Sequence, residues 1–181
     1  MIMKKALLLL IIVVFAGFTF VEEVKKDVAV SKVGAITGSS RIQELNVYWN
    51  SLSKTVSDGD FEGYADGYHK DAVIVFASGK NKTSVSIKKA LAGWKQGFTD
   101  TRKGKNISSV EFRFSQRIGD ATTAHETGIF LYSTSDADGK NKKDYPTHFE
   151  MLLVKKHGKW LGVMEYQKSN ATIKEWRALK K

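Results

Sequence analysis

The sequence contains no cysteine and only one proline in 181 residues. Without thiols there is no disulfide, no thiolate zinc site, no iron–sulfur cluster and no cysteine nucleophile. A bacterial lipoprotein anchor, which is built on a cysteine, is excluded as well. So little proline excludes a fibrous chain. Acidic residues are also scarce, 19 Asp and Glu against 29 Lys and Arg, for a formal charge of +10. Internal repeats, low-complexity tracts, a glycine-rich phosphate loop and a G-x-S-x-G nucleophile motif are all missing. No apolar run reaches the ~20 residues that a transmembrane helix needs.

What remains is globular: 42% hydrophobic and 27% charged residues, in a length that suits one domain with a sizeable core. At the N-terminus, Lys4 and Lys5 precede an uncharged apolar stretch from Ala6 to Val21. A basic start followed by a short hydrophobic run is the layout of a secretory signal. Residues 1–21 are therefore predicted to be a signal peptide, and the product to be secreted or periplasmic. An uncleaved anchor in the inner membrane is the alternative, and the only membrane contact expected. Residues 22–38 keep no single periodicity and read as a flexible linker. Residues 39–181 form the domain.

Within it, Ser40 and Gln43 have capping-box spacing, and Ile42, Leu45, Trp49, Leu52 and Val56 lie on one face of a helix over 40–57. Asp60 caps a short second helix carrying Phe61, Tyr64 and Tyr68. Ala72–Ala77 reads as a buried strand, and Ile87, Leu91, Trp94 and Phe98 mark a helix over 84–97. Then the period changes to two. Val110, Phe112, Phe114, Gln116 and Ile118 alternate with Ser109, Glu111, Arg113, Ser115 and Arg117, giving a strand with one dry face. Strands follow at 122–134, 145–155 and 159–168, the last two joined by a tight turn at His157-Gly158. Asn170, or Thr172 with Glu175, caps a final helix carrying Ile173 and Trp176. Early helices and late consecutive strands predict an α+β domain. Phe149, Met151, Leu153, Trp160, Met164 and Tyr166 give the last hairpin a second apolar face, which points to a homodimer contact.

The stretch from Gly59-Asp60 through Phe61, Tyr64 and Tyr68 to Asp71-Ala72 resembles the second-helix signature of the nuclear-transport-factor-2-like superfamily. His157-Gly158-Lys159-Trp160 resembles the G-K-W strand of its SnoaL-like branch, and the order of elements agrees over about 40–168. The resemblance implies a cone-shaped barrel, a curved antiparallel sheet wrapped around N-terminal helices. It also implies an apolar pocket, commonly in a dimer. Members include ketosteroid isomerase, polyketide cyclases and non-catalytic binding proteins, so the fold alone does not decide function. Carried over residue by residue, ketosteroid isomerase's helix-one tyrosine falls on Leu52, its general base on Phe76, and its oxyanion aspartate on Glu150 or Thr147. Leu52 and Phe76 cannot supply that chemistry.

Strand alternation groups His125 with Thr127, Ile129 and Leu131. It groups His148 with Glu150, Leu152 and Val154, and Glu165 with Leu161, Val163 and Gln167. The period does not say which face is inward; the resemblance turns these three sets toward the pocket. His125, His148, Glu150 and Glu165 would then converge, with the Tyr68 hydroxyl at the mouth. Pairing around His157-Gly158 sets Glu150 opposite Glu165. Such a cluster serves as a polar network, as an acid–base set (Glu150, Glu165 and His148 being the catalytic candidates), or as ligand anchors. No local spacing supports a metal site, and no cofactor is expected. His148-Phe149-Glu150 has the H-x-E of zinc deaminases but lacks their cysteines. The basic runs are scattered over loops without interleaved aromatics, which argues against a nucleic-acid partner. The expected function is that of an exported pocket protein for a small, mainly apolar ligand. A lyase, isomerase or cyclase using a pocket Glu–His pair, and a structural dimer module of the cell envelope, are the alternatives.

Overall fold

A computed structural model describes residues 22–179, with side chains from residue 40 onward. The signal segment 1–21 lies outside the described residues. Of two units, one ends at Ala35; the other, Ile36–Lys181, carries the sheet and everything below. Helix α1 (Glu22–Asp58) already includes residues 22–38 that read as a linker, so Ser40 and Gln43 fall inside a helix and form no capping box. No proline interrupts this stretch. Its buried face is Leu45, Tyr48, Trp49, Leu52 and Val56. Gly59, at φ 66°, ends α1 in the left-handed region. The amides of Gly59 and Asp60 return to the carbonyls of Val56 and Thr55, the double bond of a Schellman stop. The carboxylate of Asp60 then caps α2 (Phe61–Ala65) by accepting from the Gly63 amide.

The strands are β1 (Tyr68–Phe76), β2 (Thr83–Ser86), β3 (Asn106–Gly119), β4 (Thr123–Asp136), β5 (Lys143–Lys156) and β6 (Lys159–Asn170), with α3 (Ile87–Arg102) after β2 and α4 (Ile173–Ala178) at the end. They form one open six-stranded sheet in the order β2-β1-β6-β5-β4-β3. The α+β expectation holds, and the sheet is mixed: β1 runs parallel to β6, and every other pair is antiparallel. Four turns in the chain are too short for a parallel crossover, so only the β1–β6 pair, separated by most of the domain, is parallel. At the β5–β6 hairpin, His157 and Gly158 both have positive φ (49° and 78°), as a two-residue turn between right-twisting strands requires.

One sheet face packs on α1 and α3 around Trp49, Ile74, Phe149, Met151 and Leu153. The opposite face is partly covered by α4. Thr172 and Glu175 form the capping box that starts α4, and Trp176 lands on Ile129 and Leu131. The Arg113 guanidinium lies 3.6 Å from the centre of the Trp176 ring. It also donates to the carbonyls of Trp176, Arg177 and Leu179, where the helix C-terminus concentrates negative potential.

Of the sheet's register shifts, two reset the strand faces beside the cavity. The β3–β4 register slips between Phe114 and Gln116, leaving Ser115 as the extra residue. Val110, Phe112 and Phe114 point inward as expected, but Gln116 and Ile118 turn outward and Arg117 turns in. The β5–β6 register slips at Val163, between the pairs Leu153–Gly162 and Leu152–Met164. A bulge of one residue exchanges the two faces beyond it. Phe149, Met151, Leu153 and Trp160, expected on a dimer face, are core residues, each at most 4% exposed, because the face opposite His148 and Glu150 is the one packed on the helices.

Candidate functional site

The inner sheet face and the helices line a half-open cavity of about 450 Å³. Its base is aromatic because Phe112, Phe130 and Phe149 occupy inward positions of three neighbouring strands. Phe149 sits 5.7 Å from Phe112 and 5.8 Å from Phe130, centroid to centroid. Trp49 of α1 closes on Phe112 at 4.5 Å. Another wall is Tyr64 of α2 against Trp94 and Phe98 of α3, at 6.0 and 5.1 Å. On α3, Gly93 and Gly97 also line the cavity, and a Cβ at either would meet no atom within 4 Å. Two glycines one helical turn apart thus leave open space where side chains would fit.

Into this cavity β6 sends Glu165, 7% exposed. Its Oε2 accepts from the Tyr68 hydroxyl at 2.5 Å, and its Oε1 from Gln167 Nε2 at 2.8 Å. The Tyr68 and Tyr64 hydroxyls lie 3.2 Å apart, so the chain continues to the cavity wall. Burial pushes the Glu165 carboxyl above the usual carboxylate range, partly offset by its two donors. Burial and the neighbouring carboxylate push the Tyr68 hydroxyl well above the usual phenol range. The phenol therefore holds its proton as the donor, and the carboxyl oxygen accepts it in a short hydrogen bond. At the other end, Thr101 donates to Ser108, whose hydroxyl lies 3.2 Å from that of Tyr132. Thr101, Ser108 and Tyr132 all line the cavity.

The other predicted site residues lie elsewhere. Because of the Val163 bulge, Glu165 faces Met151 and Glu150 faces Tyr166. The expected pair of facing carboxylates does not form. Glu150 is on the outer sheet face, 3.2 Å from His125 Nε2 and 2.6 Å from Lys168 Nζ. The Lys168 ammonium, followed by the His125 contact, holds the Glu150 carboxyl below its ordinary range. His148, also outside, pairs with Glu175 of α4 at 3.6 Å. His125, His148 and Glu150 thus share a face, as alternation required, but it is the face opposite the cavity. Of the five predicted ligand contacts, Glu165 lines the cavity and Tyr68 stands directly behind it. Among the described residues, no three His, Asp or Glu side chains are grouped to hold a metal. At the ketosteroid isomerase positions, Leu52 is core, Phe76 packs 6.3 Å from Trp94, and Thr147 lines the cavity.

Gln167, in the strand set turned toward the pocket, does line it, whereas sequence reasoning missed Gly93 and Gly97 as cavity residues. It also missed a buried ion pair beneath the floor. Glu126, with no exposed surface, accepts both Arg117 Nε and Nη2 at 2.9 Å and the Trp49 indole at 2.6 Å. The signal was present in the Ser115 region, where a strict alternation would have left Arg117 wet and Glu126 with no partner across the strand.

No family model matches the sequence, and no characterised protein is significantly similar to it in sequence. Solved structures are similar in fold. A conserved protein from Planctomyces limnophilus superposes with a TM-score of 0.60 at 10% identity, over 75% of this chain and 99% of that one. A nuclear-transport-factor-2-like protein of unknown function from Shewanella oneidensis gives 0.53 at 15%, over 70% and 97%. A ketosteroid isomerase-like protein from Erwinia carotovora atroseptica gives 0.52 at 12%, over 72% and 95%. With its helices laid into the curved sheet, an aromatic-walled cavity between them and these neighbours, the chain has the nuclear-transport-factor-2-like fold.

Proposed function

We propose that the protein is an exported binding protein for a small, mainly apolar molecule, held in the aromatic cavity with its polar group at Glu165. The observation that carries this reading is a cavity of about 450 Å³ with one buried carboxyl in its wall. Protein interiors close-pack, and voids larger than a water molecule are few. A concave, largely aromatic space with a few convergent polar groups is the usual form of a small-molecule site. Gly93 and Gly97 keep that space open at a cost in helix stability. Lys4, Lys5 and the run Ala6–Val21 support export, with membrane contact only through that segment if it is retained. Protein purified from its producing cells and then denatured should release a small molecule in near-equimolar amount by mass spectrometry. Release of nothing, together with no thermal shift across a panel of small aromatic compounds, would remove this reading.

One observation favours a second reading, a lyase, isomerase or cyclase. The 2.5 Å Tyr68–Glu165 hydrogen bond places a proton donor and acceptor at the cavity wall. Glu165 is the one catalytic candidate so placed, and no histidine partners it among the described residues. The outer sheet face supports a homodimer: Ile118 and Leu152 are 49% and 41% exposed there, next to Val154 and Val163.

A further inference from the structure

We infer that the cavity's ligand is a cation: an amine, protonated at neutral pH, on a ring or alkyl body. This rests on the binding reading above and names the ligand class. Lys and Arg number 29 in this chain, yet among the described residues no Lys, Arg or His lines the cavity. The acid that does line it is left without a counter-charge. Other shielded glutamates are each met by a cation: Glu44 by Lys155, Glu126 by Arg117 and Glu150 by Lys168. Glu165, among the described residues, forms no ion pair. Its donors are the neutral Tyr68 hydroxyl and Gln167 amide, one on each oxygen. A carboxylate oxygen accepts more than one hydrogen bond, so both keep capacity for a further donor.

The rest of the wall suits a cation. Tyr64, hydrogen-bonded to Tyr68, brings Trp94 and Phe98 to the same end of the cavity. Aromatic faces attract an ammonium, most strongly where water is excluded. An anionic ligand would instead meet a buried carboxyl and no positive charge, a costly pairing in a low-dielectric space. An ammonium within hydrogen-bond reach of Glu165 would supply the counter-charge that the chain withholds there. Burial disfavours the charge on Glu165, and a bound ammonium favours the carboxylate, so amine affinity rises with pH as the carboxyl ionises.

Three probes on one scaffold test this: 2-naphthylmethylamine, 2-naphthylmethanol and 2-naphthoate, titrated calorimetrically into the full mature protein at pH 7.5. The expected result is that the amine binds at least tenfold more tightly than the alcohol, and the acid not detectably. Glu165→Gln should remove the preference, bringing the amine-to-alcohol affinity ratio from at least tenfold to near one. If that variant does not fold, the wild-type protein serves alone, because amine affinity should rise with pH above the ordinary carboxylate range and the amine-to-alcohol ratio should rise with it. Equal or tighter binding of the alcohol overturns the cation inference and leaves the binding reading standing. Binding of none of the three contradicts both.

Discussion

Glu165 lies across the β5–β6 ladder from Met151, not from Glu150, because Val163 is one residue too many on its strand. That single slip puts one glutamate into the cavity wall and leaves the other on the outer face beside Lys168. The two carboxyls consequently titrate in opposite directions. Burial raises Glu165, and the Lys168 ammonium lowers Glu150.

The sign of the Glu165 effect on stability follows from linkage. A carboxyl whose folded-state pKa is raised contributes stability that is fully present below its unfolded value, near 4.3, and lost as pH rises through the folded value. Each unit of upward displacement is worth about 1.4 kcal/mol. Glu165→Gln should thus match the wild type at pH 4 and exceed it at pH 8 in urea unfolding. A variant less stable than wild type at pH 8 would show that the ionised carboxylate is the better-accommodated form.

The pair beneath the cavity floor behaves differently. Arg117→Met leaves the fully buried Glu126 with the Trp49 indole as its remaining partner. Removing one member of a buried ion pair costs about 3–5 kcal/mol. Adding Glu126→Leu to the same chain should recover much of that loss, as chemical denaturation of the single and double variants will show.

The order of elements was legible in the sequence because periodicity is local. The 3.6-residue pattern in α3, the alternation in β3, the His157-Gly158 turn and the Thr172–Glu175 cap each lie within a few residues. What was not legible were phase and pairing. Ser115 and Val163 carry no turn signature, since a bulge in a β-branched or serine position looks like ordinary strand. Each nevertheless inverts the residues beyond it, moving Ile118 out, Arg117 in, and Glu165 away from Glu150. The short strand β2 was absorbed into the helix that follows it because Thr83–Ser86 offers only one apolar side chain. The parallel β1–β6 contact joins residues almost a hundred positions apart, where no local rule reaches.

On α3, Gly93 and Gly97 carry a stability penalty with no packing return. Gly93→Ala and Gly97→Ala should each stabilise the domain by about 0.5–1 kcal/mol, since a methyl group meets nothing there. The check is thermal unfolding of the two variants. A loss of stability at either position would mean that α3 packs more closely than this.

Light scattering of the mature protein should give twice the monomer mass, reduced to the monomer by Leu152→Glu on the outer face. A wild-type protein that stays monomeric at high concentration would contradict the dimer.

A bound small molecule would occupy the space between α3 and the sheet. Trp49 and Trp94 both line that space, so their fluorescence reports on it. Titration with 2-naphthylmethanol or 2-naphthylmethylamine should quench tryptophan emission saturably at one site per chain, and Gly97→Leu, whose side chain projects into the cavity, should abolish the effect while leaving the fold intact. Quenching that never saturates, or that survives Gly97→Leu unchanged, would mean that no small molecule binds in this cavity.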